Sequence, residues 1–389
     1  FIIIENHTEE VITLPPGKLS IQITPAVCLP STTRCIPTHY HKDDEDLVTR
    51  GPLTCFSWNM NGMHARLRKG DLAPFYTRVA ERQPDIIALQ EVMLSCLPGN
   101  CSTPTPLSKC AEAWEKFYQP LMADYRAYLS LSTTKYGGQV VLVRRDVTAP
   151  DTVEYNFHDG ANPHVDGRVI RLHFPQAQFI CVYAPFSGEG TPEQCARRAT
   201  WDRQLEDHLT SRDHEVPCFV LGDLNVTNYA EDISAPAAFW HEIGPRHDDP
   251  SHDGFGGTTP AERQRFHTIL HNTHMLDTWH HHTSRVHGAA RYTWRGHYGK
   301  FHGKGLRLDY CLADTDTILS GGILESYILH NGAGNDGAMG SDHHPIWMQL
   351  TEKWLAHRTQ KKSVAGSTAV RPECGLVEME IERDSGSCS

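Results

Sequence analysis

The sequence has no apolar run of about 18 residues, the length a helix needs to cross a bilayer, so no membrane-spanning role is expected. Positive charge is scarce: 36 Lys and Arg stand against 47 Asp and Glu, a formal net charge of −11. That balance excludes a protein that coats nucleic acid nonspecifically over its whole surface, although it leaves room for one basic groove. Paired Cys-x-x-Cys spacing is missing around Cys96, Cys101 and Cys110, which removes the usual signature of a zinc site. Cys55, Cys181, Cys218 and Cys311 fall inside apolar segments, where a reduced thiol packs as a small hydrophobe, and a reducing compartment is expected. Sequons at Asn6, Asn100 and Asn225 point weakly the other way. The opening FIIIENHTEEVITL turns to charge after four apolar residues and does not read as a signal peptide. Because the sequence begins at Phe1 and not at Met, the compartment is left open.

What is present is a chain of 389 residues with 39% hydrophobic and 9% aromatic content, enough for a sizeable core. Residues 1–50 are proline-dotted and end in HKDDEDLVTR; they read as a partly disordered N-terminal extension. Residues 356–389 lack periodicity and read as a disordered tail. The folded body is expected over 51–355. Strand-like segments recur there at 53–59, 85–91, 139–145, 168–174, 178–184, 217–223, 306–313 and 345–351. Helical segments interleave: Thr191, Pro192 and Gln194 open one with a capping box, and Thr259, Pro260 and Glu262 repeat the device. Many strands with a few helices predict a layered α/β domain, sheets inside and helices outside.

The chemistry is concentrated where those strands end. Segment 53–59 runs into Asn59 and Asn61, 85–91 ends in Glu91, 178–184 carries Tyr183, and 217–223 ends in Asp223 with Asn225 just beyond. GLRLDY sets Asp309 in a strand, and GSDHHPIWMQL sets Asp342 and His343 at the mouth of another. Read alone, GSDHH is equally a polar turn before a strand. Six segments with oxygen-bearing or imidazole groups at comparable points are not explained by caps and turns. Glu91, Asp223 and Asp342, with amide oxygens from Asn59, Asn61 and Asn225, would make a hard, oxygen-rich site suited to Mg²⁺ or Mn²⁺. His343, held protonated by Asp309, could donate to an anionic oxygen. Metal, positioned donors and a base are the requirements of phosphodiester hydrolysis.

FSWNMNG, PDIIALQE, YGGQVVLV, VYAP, VLGDLNV, TTPAERQRF, YTWRG, GKGLRLDY and GSDHHP follow one another across roughly 55–350. In this the chain resembles the exonuclease III branch of the endonuclease/exonuclease/phosphatase superfamily, the class II apurinic/apyrimidinic endonucleases. GDLN and SDH are shared across the superfamily; SWNMNG, ERQRF and LRLDY together are specific to the repair branch. The resemblance implies a four-layer α/β sandwich with two packed mixed sheets flanked by helices. It also implies metal-dependent incision of damaged double-stranded DNA 5′ to abasic sites, with 3′→5′ exonuclease or 3′-phosphodiesterase activity alongside. The rival readings are another phosphoesterase of the superfamily acting on a lipid or small phosphate, and a catalytically weak DNA-binding member.

By motif, Asn59, Asn61, Glu91 and Asp342 are the implied metal surroundings, with Asp223, Asn225 and His343 beside them. Asp223 would orient or deprotonate water, Asn225 and Tyr183 would contact phosphate, and His343 backed by Asp309 would stabilise the transition state. Trp294, Leu306 and Leu308 match a pocket for a base-less sugar, or else are ordinary core. Arg66, Arg68, Lys69, Arg263, Arg295, Lys300 and Lys304 could track phosphates or could be solvated surface charges. His344 is read as a bystander. Phe186 stands where relatives carry an amide, and Glu189 where one subgroup carries a basic residue; both should weaken DNA contact. A nuclear monomer is expected, with mitochondria as the alternative compartment.

Overall fold

Each of the eight expected strand segments is extended in the structure, a computed structural model that describes residues 50–352 apart from 135, 163, 242–248, 284–287, 298 and 331–337. The expected extension and tail lie outside the described residues, except for Arg50. Two six-stranded sheets form the centre. The first runs, in spatial order, through Ile323–Ile328, Ile346–Leu350, Thr54–Asn59, Ile86–Gln90, Gln139–Arg144 and Tyr125–Ser130. The second runs through Thr152–Glu154, Val169–His173, Gln178–Tyr183, Cys218–Asp223, Asp309–Asp314 and Met275–Asp277. The segment expected over 306–313 divides into a two-residue strand, Gly305–Leu306, and Asp309–Asp314.

Period-two alternation splits each strand between two cores. Cys55, Ile86, Ala88, Val141 and Val143 face Ile170, Phe179, Cys181, Phe219 and Cys311 between the sheets. The residues in between, such as Phe56, Trp58, Ile87 and Leu89, turn outward. There they meet the helices Met63–Lys69, Ala73–Arg82 and Lys109–Tyr118 through Met63, Phe75, Val79 and Phe117. On the far side Ile180, Val182 and Val220 meet Trp201, Leu205, Phe266 and Ile269 of helices Pro192–Ser211 and Pro260–Asn272. The result is a four-layer α/β sandwich. Both expected N-caps form: Thr191 and Gln194 make a reciprocal capping box, and Thr259 accepts from the Glu262 N–H. Among the described residues, Cys55, Cys96, Cys110, Cys181, Cys195, Cys218 and Cys311 carry free thiols.

Strand direction explains where the polar ends go. Each sheet has a parallel pair near its centre: Thr54–Asn59 with Ile86–Gln90, and Gln178–Tyr183 with Cys218–Asp223. In a parallel pair both C-terminal ends lie at the same edge. Ile346–Leu350 runs antiparallel to the first pair and Asp309–Asp314 antiparallel to the second, so their N-terminal ends reach that edge too. The cross-strand partner of Asp309 is Asp223. Gly222 makes the second pair possible, since a Cβ there would sit 2.0 Å from the Val182 carbonyl oxygen.

Arg307, between the strand pieces of GLRLDY, is fully buried. Its Nε and Nη2 donate to Asp232 at 2.9 and 3.0 Å, and Nη1 pairs with Asp277 at 2.6 Å. The guanidinium also lies over the Trp279 and Tyr310 rings, 4.8 and 4.5 Å from their centroids. Removing one side of such a network leaves buried charge uncompensated. An Arg307→Leu variant should therefore lose about 3–5 kcal/mol of unfolding free energy in urea titration; a loss near zero would mean that Asp232 and Asp277 are not held as charged partners.

Candidate active site

The edge where these strands end carries a continuous hydrogen-bonded network of the expected polar groups. Asn59 is completely buried, and its Nδ2 donates to Glu91 at 3.0 Å and to Asp223 at 2.9 Å, joining one sheet to the other. Asn61 donates through Nδ2 to Asp342 at 2.7 Å, and its backbone N–H donates to Asn59 Oδ1 at 3.1 Å. Tyr183 donates its hydroxyl to Glu91 Oε1 at 2.6 Å. Asp223 Oδ1 accepts from the Asn225 backbone N–H at 2.8 Å, and Asn225 Nδ2 donates to the Ala184 carbonyl. His343 Nδ1 lies 2.8 Å from Asp309 Oδ2. Asn61, Glu91 and Asn225 all have φ between +47 and +49°. This left-handed conformation costs a non-glycine residue about 1–3 kcal/mol and persists only where the surroundings impose it; here it turns each residue back across its strand end.

The electrostatics follow from burial and crowding. Asp223 is pushed up to about 7, first by burial and then by the neighbouring Asp309 carboxylate, with His343 and the Asn59 donor opposing. For His343 burial alone would favour the neutral ring. The adjacent Asp309, with Asp223 and Asp342 behind it, overrides that and holds the imidazolium well above its ordinary range. Burial also works against ionised Asp342, but His343 and the Asn61, Trp294 and backbone donors outweigh it and bring the carboxyl below its usual value. Burial, then Glu91, keeps Tyr183 a neutral phenol, with the Arg168 guanidinium 4.6 Å over its ring.

Ligand atoms of Asp223, Asp309 and His343 all lie within 4.8 Å of one another. Asp309 Oδ1 is buried with no hydrogen-bond donor, an acceptor left over in a site already rich in negative charge. The carboxylate oxygens of this corner fit a cation; the His343 imidazolium has no lone pair to offer one. The amides differ from the oxygen-ligand expectation: Asn59, Asn61 and Asn225 turn their N–H₂ groups to carboxylates or a carbonyl and so space and orient the acids. The tightest group also includes Asp309, while Glu91 and Asp342 join through Asn59 and Asn61.

A model described as the endonuclease/exonuclease/phosphatase family matches residues 56–343. The chain belongs to that family. A DNA-(apurinic or apyrimidinic site) endonuclease of Arabidopsis thaliana is 28% identical over 327 residues, covering 79% of this chain and 88% of that protein. An exodeoxyribonuclease of Streptococcus pneumoniae is 27% identical over 314 residues, 76% of this chain and 98% of its own length. Two solved structures share the fold. A 3′–5′ exonuclease from Neisseria meningitidis has a TM-score of 0.56 at 19% identity, over 77% of this chain and 99% of that one. An AP endonuclease from Archaeoglobus fulgidus has a TM-score of 0.54 at 18% identity, over the same shares.

Within this member of the endonuclease/exonuclease/phosphatase family, three supports escaped the sequence reading. Ser341 donates to the Asn59 carbonyl and accepts from the His343 N–H, and Trp58 Nε1 donates to the His343 carbonyl. Together they fix the GSDHH turn. Thr293 Oγ1 accepts from the backbone N–H groups of Leu308 and Asp309. A hydroxyl beside each motif was the available signal, but Ser and Thr are too common to stand out. Leu306 and Leu308 are buried with Ile233 and Phe239, and half-buried Trp294 packs on them while donating Nε1 to Asp342 at 3.0 Å.

The basic residues divide. Arg68 and Lys69 are exposed, whereas Arg66 and Arg295 are buried, contrary to a solvated or phosphate-tracking role. Arg66 lies 3.6 Å from Asp71, and burial lowers its affinity for the proton. Arg295 donates its backbone N–H to the Asp342 carbonyl. Arg263 and Lys304 are half-buried: Arg263 donates to the Asn228 carbonyl, and Lys304 lies over the Phe301 ring. The Lys300 side chain is outside the described residues.

His344 is fully buried, its ring 4.2 Å from that of His330. Burial and then the neighbouring His330 bring it down to about 3, and burial brings His330 down to about 4. An imidazole depressed in the fold contributes nothing to acid sensitivity above pH 6.5, its unfolded value. Below that the unfolded chain binds protons the fold refuses, so stability is lost as pH falls from 6.5 towards 4. The slope of unfolding free energy against pH in that window is expected to be shallower in a His344→Leu variant than in the parent, whatever the offset between them. Parallel slopes would show that His344 is protonated in the fold.

Proposed function

We propose that this chain is a divalent-metal-dependent DNA phosphodiester hydrolase that incises 5′ to abasic sites and removes nucleotides or blocking groups from 3′ ends. One observation carries this reading: Asp223, Asp309 and His343 share one buried corner, tied through Asn59 to Glu91 and Tyr183 at the ends of both sheets. Glu91 and Asp342, oriented by Asn59 and Asn61, would hold Mg²⁺, or Mn²⁺ in its place, together with the acids of the corner. When bound, the ion supplies a Lewis acid that offsets charge on the phosphate oxygens and the leaving oxygen.

Asp223 orients the attacking water and takes its proton, a task for which a carboxylate with raised proton affinity is suited. Asn225 has a second amide hydrogen for a non-bridging oxygen, and the Tyr183 hydroxyl would leave Glu91 to contact another. His343, kept cationic by Asp309, donates to the phosphate as charge accumulates. Leu306, Leu308 and the Trp294 ring, packed as one apolar cluster beside Asp342, would be the contact for a base-less sugar. Exposed Arg68 and Lys69 are basic groups that could contact the DNA backbone. The catalytic domain would span 51–355, acting as a monomer on damaged duplex DNA in the nucleus, with mitochondria as the alternative compartment.

The test is a labelled duplex carrying one abasic analogue, incubated with Mg²⁺ and, separately, with chelator. A single cut 5′ to the lesion, abolished by chelator, is expected. Release of phosphate from a phosphoinositide with no cut in the duplex would replace this reading with that of a lipid phosphoesterase. Binding to the duplex without cutting under any metal would mark a non-catalytic member.

A further inference from the structure

Arg198 sits on helix Pro192–Ser211, outside every motif at the strand ends, yet its guanidinium comes to rest against the backbone of two of them. The side chain is fully buried. Nη1 donates to the carbonyls of Pro185 at 3.1 Å and Asn225 at 3.0 Å, and Nη2 donates to the Leu224 carbonyl at 2.8 Å. Nε donates to Asp202 Oδ1 at 2.7 Å. One planar fork thus joins the helix to the two loops that follow strands Gln178–Tyr183 and Cys218–Asp223.

Those carbonyls belong to the backbone that aims Asp223 and Asn225. Asn225 is left-handed, with φ 48°, and such a residue persists only where its surroundings impose the conformation. Arg198 holds a carbonyl on each side of that bend, Leu224 before it and Asn225 at it. From the same bend the Asn225 N–H donates to Asp223 Oδ1 at 2.8 Å, and the Asn225 side chain donates to the Ala184 carbonyl at 3.0 Å. A further wall encloses the bend: a Cβ on Gly257 would lie 2.6 Å from the Asn225 carbonyl oxygen. An ion pair with Asp202 does not by itself account for this placement. Asp202 has a second partner, Arg265, whose Nε donates to Oδ2 at 2.8 Å and which serves the charge without reaching either loop.

We infer that Arg198 is a positioning residue for phosphodiester cleavage: it fixes the Leu224–Asn225 bend, and through that bend the directions of the Asp223 carboxylate and the Asn225 amide, without touching substrate. The inference rests on the reading of the chain as a DNA phosphodiester hydrolase and deepens it by extending that site to a buried residue on a flanking helix. Arginine suits the task because its donors lie in one rigid plane and reach several acceptors at once, whereas a lysine ammonium is a point charge on a flexible stem. Groups that act in the transition state are sensitive to such support, since a shift of about 1 Å can cost on the order of 10²-fold in rate.

The experiment follows single-turnover incision of the abasic duplex across a range of enzyme concentrations for the parent, Arg198→Lys, Arg198→Gln and Arg265→Met, with a melting curve for each. Two substitutions at Arg198 are used so that one folded variant is enough. The Arg198 variants are expected to lose on the order of 10²-fold in the saturating rate, while the enzyme concentration that gives half of that rate stays at the parent value. That split marks a loss felt in the transition state and not in binding. Arg265→Met removes the other partner of Asp202 but touches neither loop; it should melt earlier and keep the parent's saturating rate. A parent-like rate in a folded Arg198 variant, a change confined to the half-saturating concentration, or an equal loss of rate in Arg265→Met would overturn the positioning role. A parent that leaves the abasic duplex uncut would instead overturn the hydrolase reading beneath it.

Discussion

An Asp223→Asn variant is expected to incise the abasic duplex on the order of 10³–10⁴ times more slowly than the parent, measured as single-turnover rate at saturating enzyme. Asparagine matches aspartate in shape but cannot take a proton from water. It also presents an N–H₂ group where Asn59 Nδ2 now donates, so one link between the sheets has to rearrange. The same variant should be more stable than the parent in chelator at pH 8. The sign follows from Asp223 being raised in the fold to about 7 from an ordinary 3.8. Its ionised form is disfavoured by folding, a cost that grows as pH rises from 3.8 and is complete above 7. A neutral asparagine removes that cost. Gain in stability with loss of rate is the pattern of a strained catalytic group. A variant that cuts as fast as its parent would remove Asp223 from the chemistry altogether.

His343→Asn should lower the same rate by on the order of 10²–10³, the usual consequence of removing one charged donor to a developing oxyanion. Titration with Mg²⁺ should still raise the variant's melting temperature, because Glu91, Asp223, Asp309 and Asp342 remain and ligand binding stabilises by mass action. Asp309→Asn should be milder in rate, since the imidazole stays but loses the partner that keeps it cationic. Linkage gives a second measurement. The raised imidazole of the parent contributes stability that is fully present below pH 6.5 and fades as pH climbs through the folded value. That alkaline loss should vanish in His343→Asn. If the rate were unchanged, the donor to the phosphate would have to be sought among Asn225 and Tyr183 instead.

Much of this was legible before any coordinates. Strand ends, helix caps and the gathering of Asn59, Glu91, Tyr183, Asp223, Asp309 and His343 followed from period-two patterning and from polar residues placed where an apolar run stops. Strand Tyr125–Ser130 and strand Ile323–Ile328 escaped notice because their alternation is broken by half-buried polar residues, Arg126 in one and Glu325 and Tyr327 in the other. A sequence does not state which end of an amide faces which neighbour, so these amides read as oxygen ligands; the carboxylates packed around Asn59 turn its N–H₂ towards them. Arg66 and Arg295 look like surface charges because a sequence does not state which charges the fold covers: Arg66 lies beside nearby Asp71, and Arg295 against the GSDHH turn, far away in the chain.

The bridge from Asn59 to Asp223 has one further consequence. It spans two layers whose spacing is set by the side chains wedged between them, among them the small Ala88, packed with Cys55, Phe179 and Leu221. Turnover thus acts as a caliper on the thickness of the hydrophobic filling: a slightly fatter residue in the middle of the sandwich can silence the enzyme while every reacting group is intact and the molecule remains folded.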